Sequence, residues 1–195
     1  MSANAPLADV QARMHYARKR SLRWNNLTLS DVESKFKQVL AATSTTLKAA
    51  GFTKRGTSFR RKYDDNIAII DFQKSTDNSA QALKFTINLG VISSKLLSRW
   101  DPEKLPSKQT VWEAPLRERI GTLAYGEDRW WTVTSNEPVS AIENEVTNLI
   151  ETCAVPFLDQ HQSDNALIAM WKRGNSPGLT EGQRVRNLSL LEGAN

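Results

Sequence analysis

The run from Leu83 to Val91 constrains this chain more than any other. Leu83, Phe85, Ile87, Leu89 and Val91 alternate with Lys84, Thr86, Asn88 and Gly90. Successive side chains on a strand point to opposite faces, so this run reads as a strand with one apolar and one polar side. Upstream, Phe59, Arg61 and Tyr63 face one way while Arg60 and Lys62 face the other. Asp64-Asp65-Asn66 has turn chemistry. Ile67 to Lys74 is apolar on both faces at its start, which suits an inner strand. A polar loop, Ser75 to Gln81, connects it to the alternating run.

Helical patterns flank these strands. Ser30-x-x-Glu33 is a capping box. Val32, Phe36, Val39, Leu40 and Leu47 come next on one helical face, and Gly51 suits a left-handed terminator. Beyond the strands, Ser94 to Trp100 reads as a short helix, and Pro102, Pro106 and Pro115 break up the next stretch. Arg119 to Leu123 and Trp130 to Val133 read as a strand pair around a turn at Gly126-Glu127-Asp128. Val139, Ile142, Val146, Leu149, Ile150 and Cys153 then form a helical stripe that Val155-Pro156 is expected to end. A helix over Ser163 to Arg173 comes next, with Leu167, Met170 and Trp171 inward. A third is expected from Thr180, with Gln183 in the capping position, to Leu191. Strands and helices are segregated. The expected fold is therefore α+β: a single antiparallel β-sheet of four to five strands packed against an N-terminal helix and C-terminal helices.

The chain has 195 residues and a net charge of +5, a length that suits one domain. Residues 1–29 hold five cations and one carboxylate, a net of +4, so the remainder is close to neutral. This divides the chain into a basic N-terminal arm, 1–29, and a single domain, 30–195. Arg13, Arg18, Lys19, Arg20 and Arg23 offer the arm phosphate contacts, and Trp24 offers a base-stacking surface. A loosely held arm is the plainer reading. The lone Cys153 excludes an internal disulfide and fits a reducing compartment. The chain opens without an apolar leader, and no run approaches the roughly 18 apolar residues of a membrane span. The expectation is a cytoplasmic protein without membrane contact.

The residues argue against most catalytic chemistries. His15, His161 and Cys153 lack the spacing of metal ligands. No Gly-x-Ser-x-Gly elbow and no glycine-rich phosphate loop is present. Asp71, Gln73 and Lys74 imitate a magnesium-nuclease motif, but Gln73 and Lys74 are neighbours and point to opposite faces. Glu127 or Asp128 beside Arg129 gives a weak carboxylate–arginine alternative that equally fits a surface turn. No catalytic residue, metal or cofactor is assigned.

Gly51-Phe52, Lys54-Arg55-Gly56, Phe59-Arg60-Arg61, Phe72-Gln73-Lys74-Ser75, Phe85 to Gly90, Arg119-Ile120-Gly121 and Asp128 with Trp130-Trp131 carry a resemblance. In that order and spacing they resemble the domain of unknown function 4304 family, over roughly residues 30–160. The family name carries no activity. The resemblance implies the company of small bacterial domains encoded near toxin or defence genes, and so an immunity-type role.

The polar sheet side is the candidate surface. Arg60, Arg61, Lys62, Gln73, Lys74, Asn88 and Trp130 are the expected partner-binding residues, by forked arginine contacts, amide hydrogen bonds and an indole anchor. The expected function is a non-catalytic protein-interaction module, an immunity-type protein that neutralises a toxin by covering it. The alternative is a nucleic-acid-binding protein that uses the arm.

Overall fold

The computed structural model describes residues 31–103 and 106–193. Ser30 and the arm, with Arg13, Arg18, Lys19, Arg20, Arg23 and Trp24, lie outside the described residues.

Helix α1 covers 31–49. Its stripe of Val32, Phe36, Val39, Leu40 and Leu47 is buried, as the spacing requires. Thr43 shares that face, and its hydroxyl donates back to the Val39 carbonyl at 3.1 Å. Gly51 comes next with φ +82, the conformation that only glycine adopts cheaply.

The sheet is antiparallel throughout and has six strands, more than the four or five expected. Strands β1 (Thr53–Arg55), β2 (Ser58–Tyr63), β3 (Asn66–Lys74) and β4 (Ala82–Ile92) form a meander. Helix α2 (Ser94–Trp100) and two short 3-10 turns, Pro106–Lys108 and Val111–Glu113, then lead to β5 (Leu116–Arg119). Helix α3 (Ile120–Tyr125) precedes β6 (Trp131–Thr134). The predicted pairing of residues 119–123 with 130–133 is not what forms. Strands β5 and β6 lie end to end along the same edge of β4, on Asn88–Val91 and Ala82–Phe85. Close approach is the reason. A Cβ on Gly121 would lie 2.4 Å from Arg129 Cβ, so glycine lets the 127–129 loop fold onto α3. Gly126, at φ +77, ends α3.

One sheet face packs on α1 and the C-terminal helices. Phe85 sits at its centre, fully buried, with ring centroids 5.2 Å from Phe36, 6.2 Å from Phe72 and 5.5 Å from Trp131. Burying one such side chain contributes about 1.5–3 kcal/mol. The Lys35 ammonium pins β6 to α1, donating to the carbonyls of Thr134 at 3.0 Å, Ser135 at 2.6 Å and Glu137 at 2.9 Å.

The C-terminal layer begins with α4 (Ser140–Leu149). Pro156 does not end it. A π-helical turn, Ile150–Ala154, carries the backbone straight into α5 (Val155–His161). The Val155 N–H reaches the Ile150 carbonyl in that wider turn, and Pro156 takes the first-turn position where no N–H is required. His161 closes α5. It is buried, with Nδ1 2.8 Å from the Phe157 carbonyl oxygen. Helices α6 (Asp164–Lys172) and α7 (Glu181–Glu192) complete the layer. Ser163 caps the first, and Thr180 with Gln183 forms the capping box of the second.

Candidate functional site

The second sheet face is divided in two. At one end Ile67, Ile69 and Ile92 are covered by Leu97, Val111 and Ala114, which make a small separate core. Gly90 permits this cover: a Cβ there would lie 2.9 Å from both Ala114 Cβ and Val111 Cγ2. The cover stops one residue short of a polar row.

That row crosses four strands. Ser58 pairs with Asp71, Asp71 with Asn88, and Asn88 with Arg119. Strand alternation requires these four side chains to share a side. Gln73 and Thr86 form the next pair towards the open end. The Ser58 hydroxyl donates to Asp71. Asn88 Nδ2 donates to Gln73 Oε1 at 3.0 Å. Thr86 is fully buried and donates to the Arg129 carbonyl at 2.8 Å. The floor is thus a recessed, internally bonded polar strip.

Its rim is more accessible. Arg119 ion-pairs with Asp128, and its guanidinium lies over the Trp130 ring at 5.4 Å. Trp130 Nε1 donates to Asp128 Oδ2 at 3.0 Å. Three residues from two separate segments thereby hold one another in place. Across the strip, Arg60 reaches the Gln109 carbonyl. Burial first, then the neighbouring Arg55, pulls the Arg60 guanidinium below its usual pKa, while Asp71 and Glu113 act the other way.

The seven expected contact residues do not form one group. Arg60, Lys62, Gln73 and Asn88 belong to this face by register and alternation, and Trp130 joins it through its contact with Arg119. Arg61 and Lys74 belong to the opposite one. Arg61 lies over the Phe52 ring at 4.6 Å, donates to the Ala50 carbonyl at 2.9 Å, and ion-pairs with Asp159 on α5. It ties the hairpin to the helical layer. Lys74 lies over the Phe36 ring at 5.0 Å and pairs with Glu33 at 2.7 Å. Asn88, only 5 % exposed, orients Gln73 and offers little surface of its own. Lys62 is the most open of the group, with Asp65 at 3.8 Å.

Sequence reasoning missed Arg119, Asp128 and Arg55 as members of the site. The place of Arg119 and Asp128 depends on β5 pairing with β4 and on the loop that Gly121 admits, and that of Arg55 on β1 pairing with β2. The Glu127, Asp128 and Arg129 alternative does not assemble as a unit. Asp128 turns to Arg119, while Arg129 turns to Glu145 at 3.0 Å. Among the described residues no group of three or more His, Cys, Asp or Glu is placed to hold a metal. Among them, too, no helix is long and apolar enough to cross a membrane.

The fold and this face define an α+β domain: a helix-backed antiparallel sheet with a polar strip on its other side. Residues 43–160 match the family described as Domain of unknown function (DUF4304), and the chain belongs to that family. No curated protein and no solved structure matches it. The matched span contains the polar row, the Gly90 contact and the Arg119–Asp128–Trp130 knot.

Proposed function

We infer that this protein is a non-catalytic interaction module that binds an acidic protein surface, in an immunity-type role that neutralises a toxin by covering it. The supporting observation is the rim: Arg60, Lys62 and Arg119 stand on the same side as Trp130, around a floor whose hydrogen bonds are made internally. Arginine and tryptophan dominate binding hot spots, and a preorganised pair loses little entropy on docking. An acidic partner meets the rim cations, and its approach is steered by charge.

The test is affinity capture from the native host with wild-type protein and an Arg119→Ala/Trp130→Ala double variant. One acidic protein should be retained by the wild type and lost from the variant, with both baits giving the same circular dichroism spectrum. Equal retention by both baits, or no protein retained by either, defeats the proposal. Removing residues 1–29 should leave this capture unchanged. Loss of capture on that deletion, with nucleic acid recovered from the intact chain, would instead favour the arm.

A further inference from the structure

Away from the sheet face, a groove of about 280 Å³ lies between the end of α2 and the start of α7. Trp100, Leu179, Gln183, Arg186 and Asn187 line it. Its polar groups are poorly supplied with partners among the described residues. The Trp100 indole N–H is buried with no acceptor there. Asn187 is 3 % exposed and makes no side-chain hydrogen bond among the described residues. Arg186 has no carboxylate partner among them. Gln183 uses its amide oxygen in the capping box of α7, which leaves its NH2 as a donor.

Buried polar groups in folded proteins are nearly always bonded, and each exception calls for an explanation. One such exception, the Trp100 indole, faces this groove beside a guanidinium with no carboxylate at hand among the described residues, and the pair points to something that supplies acceptors. The available protein groups are donors: an indole N–H, two carboxamides and a guanidinium. The indole plane and Leu179 supply an apolar wall. The volume lies just below the roughly 300 Å³ at which drug-sized sites begin.

We propose that this groove is a binding site for a small organic carboxylate with an apolar body. The carboxylate accepts from Arg186 and from the Trp100 indole N–H. The body lies against Trp100 and Leu179, and the Asn187 carboxamide bonds to the same head group. The site is independent of the sheet face, so either assignment can fail without the other.

The probe is phenylacetate, titrated into full-length protein and followed in 1H–15N correlation spectra, with phenylacetamide as the uncharged control. Trp100→Phe assigns the indole signal. The Trp100 indole and Asn187 carboxamide signals should shift and saturate with phenylacetate. Loss of the charge-assisted bond should weaken binding about tenfold or more, both for phenylacetamide and in Arg186→Gln. Asn187→Leu should weaken binding, because it removes a hydrogen bond to the head group. Should Asn187→Leu fail to fold, Arg186→Gln, on the exposed rim, still decides. The proposal is overturned if phenylacetate, benzoate and hexanoate all give no saturating shift at about 10 mM, a range that covers weak fragment binding. It is equally overturned if Arg186→Gln binds as the wild type does.

Discussion

The two faces of the sheet are made from the same strands, yet they are finished differently. The helix-backed face is one continuous apolar seam, in which Phe59, Phe72, Phe85 and Trp131 succeed one another ring to ring. The other face is half apolar plug and half polar strip, joined at the row that contains Asn88. The first face packs most of its residues and ends in ion-paired side chains such as Arg61 and Lys74 at its margins. The second uses just enough apolar area to hold the 106–114 segment and leaves the remainder to polar side chains. Close packing and accessible polar chemistry therefore sit on opposite sides of one layer.

Three substitutions can break or sharpen that contrast. Phe85→Ala removes the centre of the seam and should cost about 3–5 kcal/mol in urea unfolding. A loss below about 1 kcal/mol would mean that the seam is not the stabilising side. Gly90→Val tests the plug. Its side chain meets Val111 and Ala114, and overpacking of this kind costs about 1–3 kcal/mol. The damage should be local: amides of residues 109–114 should exchange faster with solvent, while those of α4 and α6 keep their protection. Equal acceleration in both layers would show that the plug and the seam are one cooperative core. Arg119→Ala is the mildest. Its ion pair with Asp128 is partly exposed, so screening limits the stability loss to about 1 kcal/mol or less. Partner affinity should fall at least about tenfold, as for a hot-spot arginine. A large stability loss with unchanged affinity would move Arg119 from recognition to architecture.

How much of this could be read from the chain depends on the range of the forces involved. The alternation of Leu83 to Val91 revealed both faces of β4, because side-chain direction on a strand is a local property. The Asp64-Asp65 turn, the Gly51 terminator and the Thr180 cap were legible for the same reason. The β5–α3 boundary was not. Arg119 to Leu123 has strand-like content, yet residues 120–125 form a helix against which the 127–129 loop packs at Gly121, a contact that no local pattern reveals. Pro156 misled because proline is a strong local stop, while the π turn before it answers to packing of Ile150 and Ala154 in the core. Alternation placed Arg60, Gln73 and Asn88 on one side correctly. Treating Arg61 and Lys74 as part of the same surface ignored that very rule. The Arg119–Asp128–Trp130 knot joins segments that only tertiary structure brings together, and composition held no sign of the α2–α7 groove.

Strand β4 is longer than any one of its neighbours on that edge, and two short strands share it. Between their attachment points, Thr86 and Ile87 have no strand partner on that side among the described residues. The polypeptide leaves the ladder after Arg119 and returns at Trp131, with a helix and a turn in between. Residues added to or removed from that detour would shift neither register, since each short strand is anchored by its own pairs. The detour carries Asp128, which grips Arg119 at the point of departure. Remodelling one loop can therefore change the side chains presented beside β4 while the scaffold beneath keeps its alignment.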